Sequence, residues 1–290
     1  MTTQIPSTLP RHVHKFRQSF LNDFNKCPEA ARRTHLGMGT KTNSSDLVRG
    51  NSVHEAIETF GLAWMEGYIG EIEELLQWGK EAFAINSSEE GIEWRQTFEK
   101  TEAQVQKNLQ LWFEDVLPLL RQPIGVEQTF NHLFYEDIQR QIFLTGTCDW
   151  LQHDEDGNVE LIDWKNPKSA PRDLWIDSRS NLQAVVYSWA FQAEAFTLYW
   201  LHWTDGQKRN GDPMPTHTSL RIPRRQENEL ALQQLAVSAA ITLEANLPAL
   251  PQQWDSWYCS PQWCPHWNEC RGQHLGEVPF WEQNNRRPNG

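Results

Sequence analysis

The period of the hydrophobic pattern changes at Gly125, and that change commits the chain to mixing helices with a sheet. Before it, residues 71–120 are charged, apolar at helical intervals and nearly free of proline, which predicts two or three helices. After it, "GVEQTFNHLF", "QIFLTGTCDWLQHD" and "VELIDWK" are short runs rich in β-branched and aromatic residues, and "EDGN" between the last two is a turn signal. A meander of three strands is expected there. A helix is expected at "SNLQAVVYSWAFQAEA", strands at "FTLYWLHW" and "THTSLRIP", and a long helix at about 227–245. This order gives an α/β fold with a central mixed sheet flanked by helices.

Two N-terminal stretches also read as helical. "HKFRQSFLNDFNKCPEAARR" places Phe16, Phe20 and Phe24 on one helical face. In "RGNSVHEAIETFG", Asn51 or Ser52 is the expected N-cap, with Val53, Ala56, Ile57 and Phe60 along one side, so that His54 falls in the first turn. With 290 residues and 39% hydrophobic content the chain can bury a sizeable core, read here as a single domain over 1–290 with a helical insert at 66–120. No apolar run approaches the roughly 20 residues that span a bilayer, and the first residues lack the apolar core of a secretory signal, so no membrane role and a cytoplasmic location are expected.

The net charge of −12 argues against a protein that coats nucleic acid by bulk electrostatics. The acidic residues crowd into 66–115, however, while basic ones gather at 15–49, 165–179 and 208–225, which leaves room for a local basic groove. Most of the fifteen tryptophans are expected in the core, with a minority left for stacking.

Within the meander, "GTCD" sets Asp149 on the strand that pairs with the one carrying "IDWK". Neighbouring strands lie about 5 Å apart, close enough for two carboxylates to share a divalent ion. Lys165 projects from the same face as Asp163 because side chains alternate along a strand. An ordinary salt bridge would use the same pair. Magnesium or manganese held by such oxygens, with an ammonium beside it, is what phosphodiester hydrolysis requires. His54 could add a nitrogen ligand, and Gln183 and Tyr187, four apart on the following helix, could hold a phosphate or a base edge. Glu127 on the first strand is a further acidic candidate, and Cys148 reads as a packed core thiol.

The succession "RGNSVH", "GVEQTF", "GTCD", "IDWK" and "QAVVY" resembles the RecB-type branch of the PD-(D/E)XK nucleases, where a histidine, a glutamate, G-x-x-D, (D/E)-x-K and Q-x-x-x-Y occur in that order. The resemblance implies a restriction-endonuclease-like core in which His54, Asp149 and Asp163 bind Mg2+ or Mn2+ and Lys165 is the catalytic lysine. Gln183 and Tyr187 would face substrate, with Glu127 a further member of the catalytic set. Asp163 stands where many relatives have glutamate.

Cys27 lies near the N-terminus, and Cys259, Cys264 and Cys270 crowd into "YCSPQWCPHWNEC". In a cytosolic chain this favours a metal over disulfides, and four thiolates suit a [4Fe-4S] cluster or a tetrahedral Zn2+ equally. A subset of the resembling nucleases, including the AddB nuclease domain, exonuclease V and the CRISPR adaptation exonucleases, carries a [4Fe-4S] cluster on one early and three late cysteines, so the resemblance implies one here over 255–272 together with Cys27. The four residues between Cys259 and Cys264, where two are more usual, are a departure. His266 is the spare ligand, and Trp257, Trp263 and Trp267 could shield the cluster. It would join the N- and C-terminal segments as a clasp.

The sequence thus points to a metal-dependent DNA exonuclease, with single-stranded ends as substrate implied by the resemblance, in DNA recombination, repair or phage DNA processing. No Walker phosphate loop or helicase motif is present, so a helicase or recombinase partner would supply translocation. The alternatives are a structure-selective endonuclease of the same fold, a catalytically inactive DNA-binding or assembly module, and a zinc-stapled protein with no nucleic-acid role.

Overall fold

The three-strand meander forms where the pattern predicts it, and the rest of the chain is arranged about it. The structure, a computed structural model, describes residues 11–38, 43–167, 181–202, 217–247, 259–260 and 264–274. In chain order the elements are β1 (His12–Arg17), α1 (Gln18–Lys26), α2 (Pro28–His35), β2 (Asn43–Ser44), α3 (Ser45–Met65), α4 (Ile72–Ser87), β3 (Ile92–Glu93), α5 (Phe98–Leu111), β4 (Gly125–Glu136), β5 (Arg140–His153), β6 (Val159–Lys165), α6 (Leu182–Phe191), β7 (Ala195–Leu201), β8 (His217–Pro223), α7 (Gln226–Glu244) and α8 (Trp267–His274). The chain divides into two compact units, one of 1–41, 133–143 and 233–290, the other of 42–132 and 144–232.

The larger unit holds the mixed sheet. β4 pairs with β5, β5 with β6 antiparallel, β6 with β7 parallel and β7 with β8 antiparallel. The parallel step is a β-α-β crossover through α6, the connection parallel neighbours require. Every residue of β7 is buried, as its run "AFTLYWL", apolar but for Thr197, leads one to expect. Helices α3, α4 and α5 bury their apolar stripes with Val126, Trp150, Ile162 and Trp164 of the sheet. Trp112, Trp150 and Trp164 meet edge to face at centroid distances of 5.7–6.3 Å, so these tryptophans are core residues.

In the smaller unit α1 and α2 follow β1, and the backbone N–H of His12 donates to the carbonyl of Gln139 at 2.9 Å. Phe20 stacks on Phe16 at 4.9 Å and meets Phe24 at a tilt at 6.2 Å, but Phe16 belongs to β1 and not to the expected helix. Glu29, fully buried, takes Arg32 at 2.8 Å and Arg33 at 2.6 Å.

Helix α3 corrects a second expectation. It begins at Ser45 with Ser44 as N-cap, whose Oγ accepts from the Leu47 N–H, so His54 lies in mid-helix and not in a first turn. Ser52 turns its hydroxyl back onto the Val48 carbonyl at 2.7 Å, as a serine inside a helix does, and cannot cap. No described helix is long and apolar enough to cross a membrane.

Candidate active site

The site opens where two paired strands part. The β5–β6 ladder runs from His153↔Val159 to Trp150↔Ile162, and the next residues along each strand are Asp149 and Asp163. There the backbone of Trp164 is met by side chains: its N–H donates to Asp149 Oδ2 at 3.4 Å, and its carbonyl takes His54 Nε2 at 3.1 Å.

Close packing of α3 brings His54 to this point. At Gly61, two turns further along the helix, a Cβ would come within 2.6 Å of the Trp150 ring and 2.8 Å of Val126, so only glycine lets the helix lie this near β4 and β5. A carbonyl can only accept, so the His54 proton is on Nε2. Burial also pulls the His54 pKa down to about 4, so the ring is neutral and Nδ1 presents a bare lone pair.

That lone pair faces Asp149 Oδ2 at 3.3 Å. Glu127 completes the group: one ligand atom from each of His54, Glu127 and Asp149 lies within 4.8 Å of the other two. Glu127 adopts φ +46°, in the left-handed region uncommon for a residue with a Cβ. Burial, reinforced by Glu58 and Asp163, lifts its carboxyl to a pKa of about 7. Burial and the neighbouring Asp163 raise that of Asp149 well above the carboxylate range. Three electron-pair donors therefore converge, with the Lys165 ammonium close enough to act on Asp149 and His54. A divalent ion at ordinary bond lengths of about 2.0–2.2 Å fits the set, and one nitrogen with two carboxylates suits manganese as well as magnesium.

Asp163 stands beside this group. Its Oδ1 accepts from Gln183 Nε2 at 2.5 Å and its Oδ2 lies 2.6 Å from Lys165 Nζ, so the carboxylate is held between two donors. For Lys165, burial works to lower the pKa, but Asp163 and Asp149 outweigh it and the ammonium is kept protonated. Gln183 thus engages Asp163. Tyr187 packs edge-on to Phe130 at 5.5 Å and Phe196 at 6.0 Å with only 8% of its surface exposed. Cys148 is fully buried. Sequence reasoning missed Gly61, the Trp164 backbone and Arg49, whose guanidinium reaches the Asn166 carbonyl at 3.1 Å. The arginine of "RGNSVH" was the available signal.

The other four cysteines belong to the smaller unit. Cys27 is at once the C-cap of α1 and the N-cap of α2, with Pro28 at the first helical position. Burial raises the Cys264 thiol pKa, and Cys27 and Cys259 add to it; burial lifts Cys270 to about 11, with Cys27 and Cys264 contributing against the opposing charge of Arg33. Cys264 is therefore within electrostatic reach of Cys27, Cys259 and Cys270, and none of the four is in a disulfide. His266, expected as a spare ligand, has its Nε2 3.0 Å from Thr34 Oγ1. Trp267 opens α8, whereas Trp257 and Trp263 lie outside the described residues.

A mixed sheet flanked by helices carries, where strands diverge, a histidine and carboxylates that could hold a metal ion, with a lysine beside them. The chain belongs to the PD-(D/E)XK nuclease superfamily, whose description matches residues 16–271, and is accordingly a metal-dependent nuclease with DNA as its substrate. No curated protein matches it. The crystal structure of SSO0001 is similar over 86% of this chain and 92% of that one, at 14% identity; its TM-score of 0.37 supports no argument.

Proposed function

We propose that the chain is a DNA exonuclease that hydrolyses single-stranded ends with Mg2+ or Mn2+, in recombination, repair or phage DNA processing, with a separate helicase or recombinase supplying translocation. The observation that carries the nuclease chemistry is the bare His54 Nδ1 facing Asp149 Oδ2 at 3.3 Å, with Glu127 beside them. His54, Asp149 and Glu127 would hold the cation, with Asp163 at its margin. A divalent ion there supplies Lewis acidity at the phosphate and lowers the pKa of bound water. Lys165 keeps its positive charge where negative charge builds on the phosphorus oxygens. Gln183 fixes Asp163, and Asp163 in turn orients the Lys165 ammonium. The end preference follows the resemblance to RecB-type enzymes.

For Cys27, Cys259, Cys264 and Cys270 we propose a [4Fe-4S] cluster. One early and three late cysteines match the cluster-bearing subset that the sequence resembles, and Cys264 and Cys270 each lie close enough to Cys27 to feel its charge.

The test is digestion of end-labelled oligonucleotides with Mn2+, beside a circular single strand. Wild type should degrade the linear strand, spare the circle and lose activity as Lys165→Ala. Cleavage of the circle would establish the endonuclease, and an inert wild type the assembly module. Anaerobic protein should be brown, absorbing near about 400 nm; zinc in a colourless preparation would overturn the cluster.

A further inference from the structure

We propose that Arg49 is a positioning residue of the nuclease site, fixing the carboxyl end of β6, and Lys165 with it, against the helix that bears His54. This rests on the nuclease reading of His54 and Lys165. Helix α3 grips the strand twice, His54 on the Trp164 carbonyl at 3.1 Å and Arg49 on the Asn166 carbonyl at 3.1 Å. Carbonyls two apart on an extended chain point the same way. Pro167 restricts Asn166 to extended backbone, so the second carbonyl stays in line with the first. Lys165 sits between the two gripped peptides. Its side chain is tied to Asp163 at 2.6 Å, while its backbone position is set by α3.

Arg49 is built for holding. Only 6% of its surface is exposed, and its NH1 donates to Asp46 Oδ1 at 2.8 Å and Gln104 Oε1 at 3.3 Å, which keeps the charge paired and the planar group oriented. The neighbouring strand is treated alike. Asn108, one turn beyond Gln104 on α5, donates to the Leu201 carbonyl at 3.3 Å, and the Lys165↔Trp200 register puts Leu201 beside Asn166. Polar side chains of α3 and α5 therefore fasten the ends of both parallel strands, where an open α/β sheet places its ligands. Too buried to meet DNA, Arg49 acts through Lys165.

The experiment compares Arg49→Ala and Arg49→Lys with wild type. Loss of the grip should lower kcat by about 10–100-fold, the range for removing a group that orients a catalytic side chain. KM and Mn2+ affinity should change by less than about threefold, because the three-residue metal group is untouched. Arg49→Lys, with one ammonium for three acceptors, should fall between, and guanidinium ion should restore part of the activity of Arg49→Ala. Hydrogen exchange should show peptides covering 160–167 opening in Arg49→Ala while those of α4 do not. Unchanged kcat and exchange would overturn the proposal. So would a loss that guanidinium leaves unrepaired and that Gln104→Ala, at matched melting temperature, reproduces in full. Should Arg49→Ala fail to fold, Arg49→Lys carries the same kinetic and exchange readouts. Should wild type cleave nothing, the nuclease reading fails, and the exchange at 160–167 still decides whether Arg49 holds the strand end.

Discussion

His54 Nε2 lies 3.1 Å from the carbonyl oxygen of Trp164, and this one hydrogen bond decides which nitrogen of the ring is available. The proton it requires on Nε2 turns Nδ1 toward Asp149 and Glu127. A backbone carbonyl that would otherwise belong to the sheet ladder thereby selects the tautomer that leaves Nδ1 without a proton.

The first prediction follows from that tautomer. His54→Ala removes the only nitrogen of the three-residue group and should weaken Mn2+ binding, measured by calorimetric titration, by at least about tenfold. An unchanged affinity would mean that Nδ1 is not a ligand.

Glu127 gives the second. Its carboxyl holds a proton up to about pH 7 in the metal-free fold, against 4.5 ordinarily, so its contribution to stability is present below 4.5 and is lost as pH rises through 7. His54 has the opposite sign between 6.5 and about 4, since the unfolded chain binds that proton first; its contribution is present above 6.5 and lost as pH falls toward 4. A cation must displace the Glu127 proton, and any proton that Asp149 holds, so the rise in melting temperature caused by Mn2+ should grow as pH rises through 7. Glu127→Gln should flatten the dependence near 7; a slope that survives it assigns the proton elsewhere.

Two glycines of α3 should respond oppositely to alanine. At Gly50 a Cβ meets nothing within 4 Å, and Gly50→Ala should stabilise by up to about 1 kcal/mol through helix propensity. At Gly61 it meets Trp150 at 2.6 Å, and overpacking of about 1–3 kcal/mol should outweigh the propensity gain. Thermal melts check both, and a Gly61→Ala protein as stable as Gly50→Ala would show that α3 can move off the sheet without cost.

In the smaller unit, Glu29→Ala strands two guanidinium groups that are 9% and 4% exposed. Breaking a buried ion pair this way typically costs about 3–5 kcal/mol, and urea unfolding should show a loss of that order. Glu29→Gln, which keeps an acceptor but not the charge, should lose less.

The sequence by itself determined the elements that local pattern governs. The change of period at Gly125, the turn at 155–158, the crossover helix and the long α7 all lie where alternation, turn residues and helical spacing put them. It also put Asp149 and Asp163 on paired strands and Lys165 beside Asp163, because register and alternation follow from short-range rules. Only the tertiary structure decided what each group does. The start of α3 escaped because Asn51 and Ser52 are acceptable caps until the preceding turn is seen to be helical already. The grouping of Glu127 with His54 and Asp149, the turning of Gln183 onto Asp163 and the grip of Arg49 on Asn166 join residues far apart in the chain. Their distances come from how closely a helix can approach a sheet at Gly61 and from where two strands part, which no local pattern encodes.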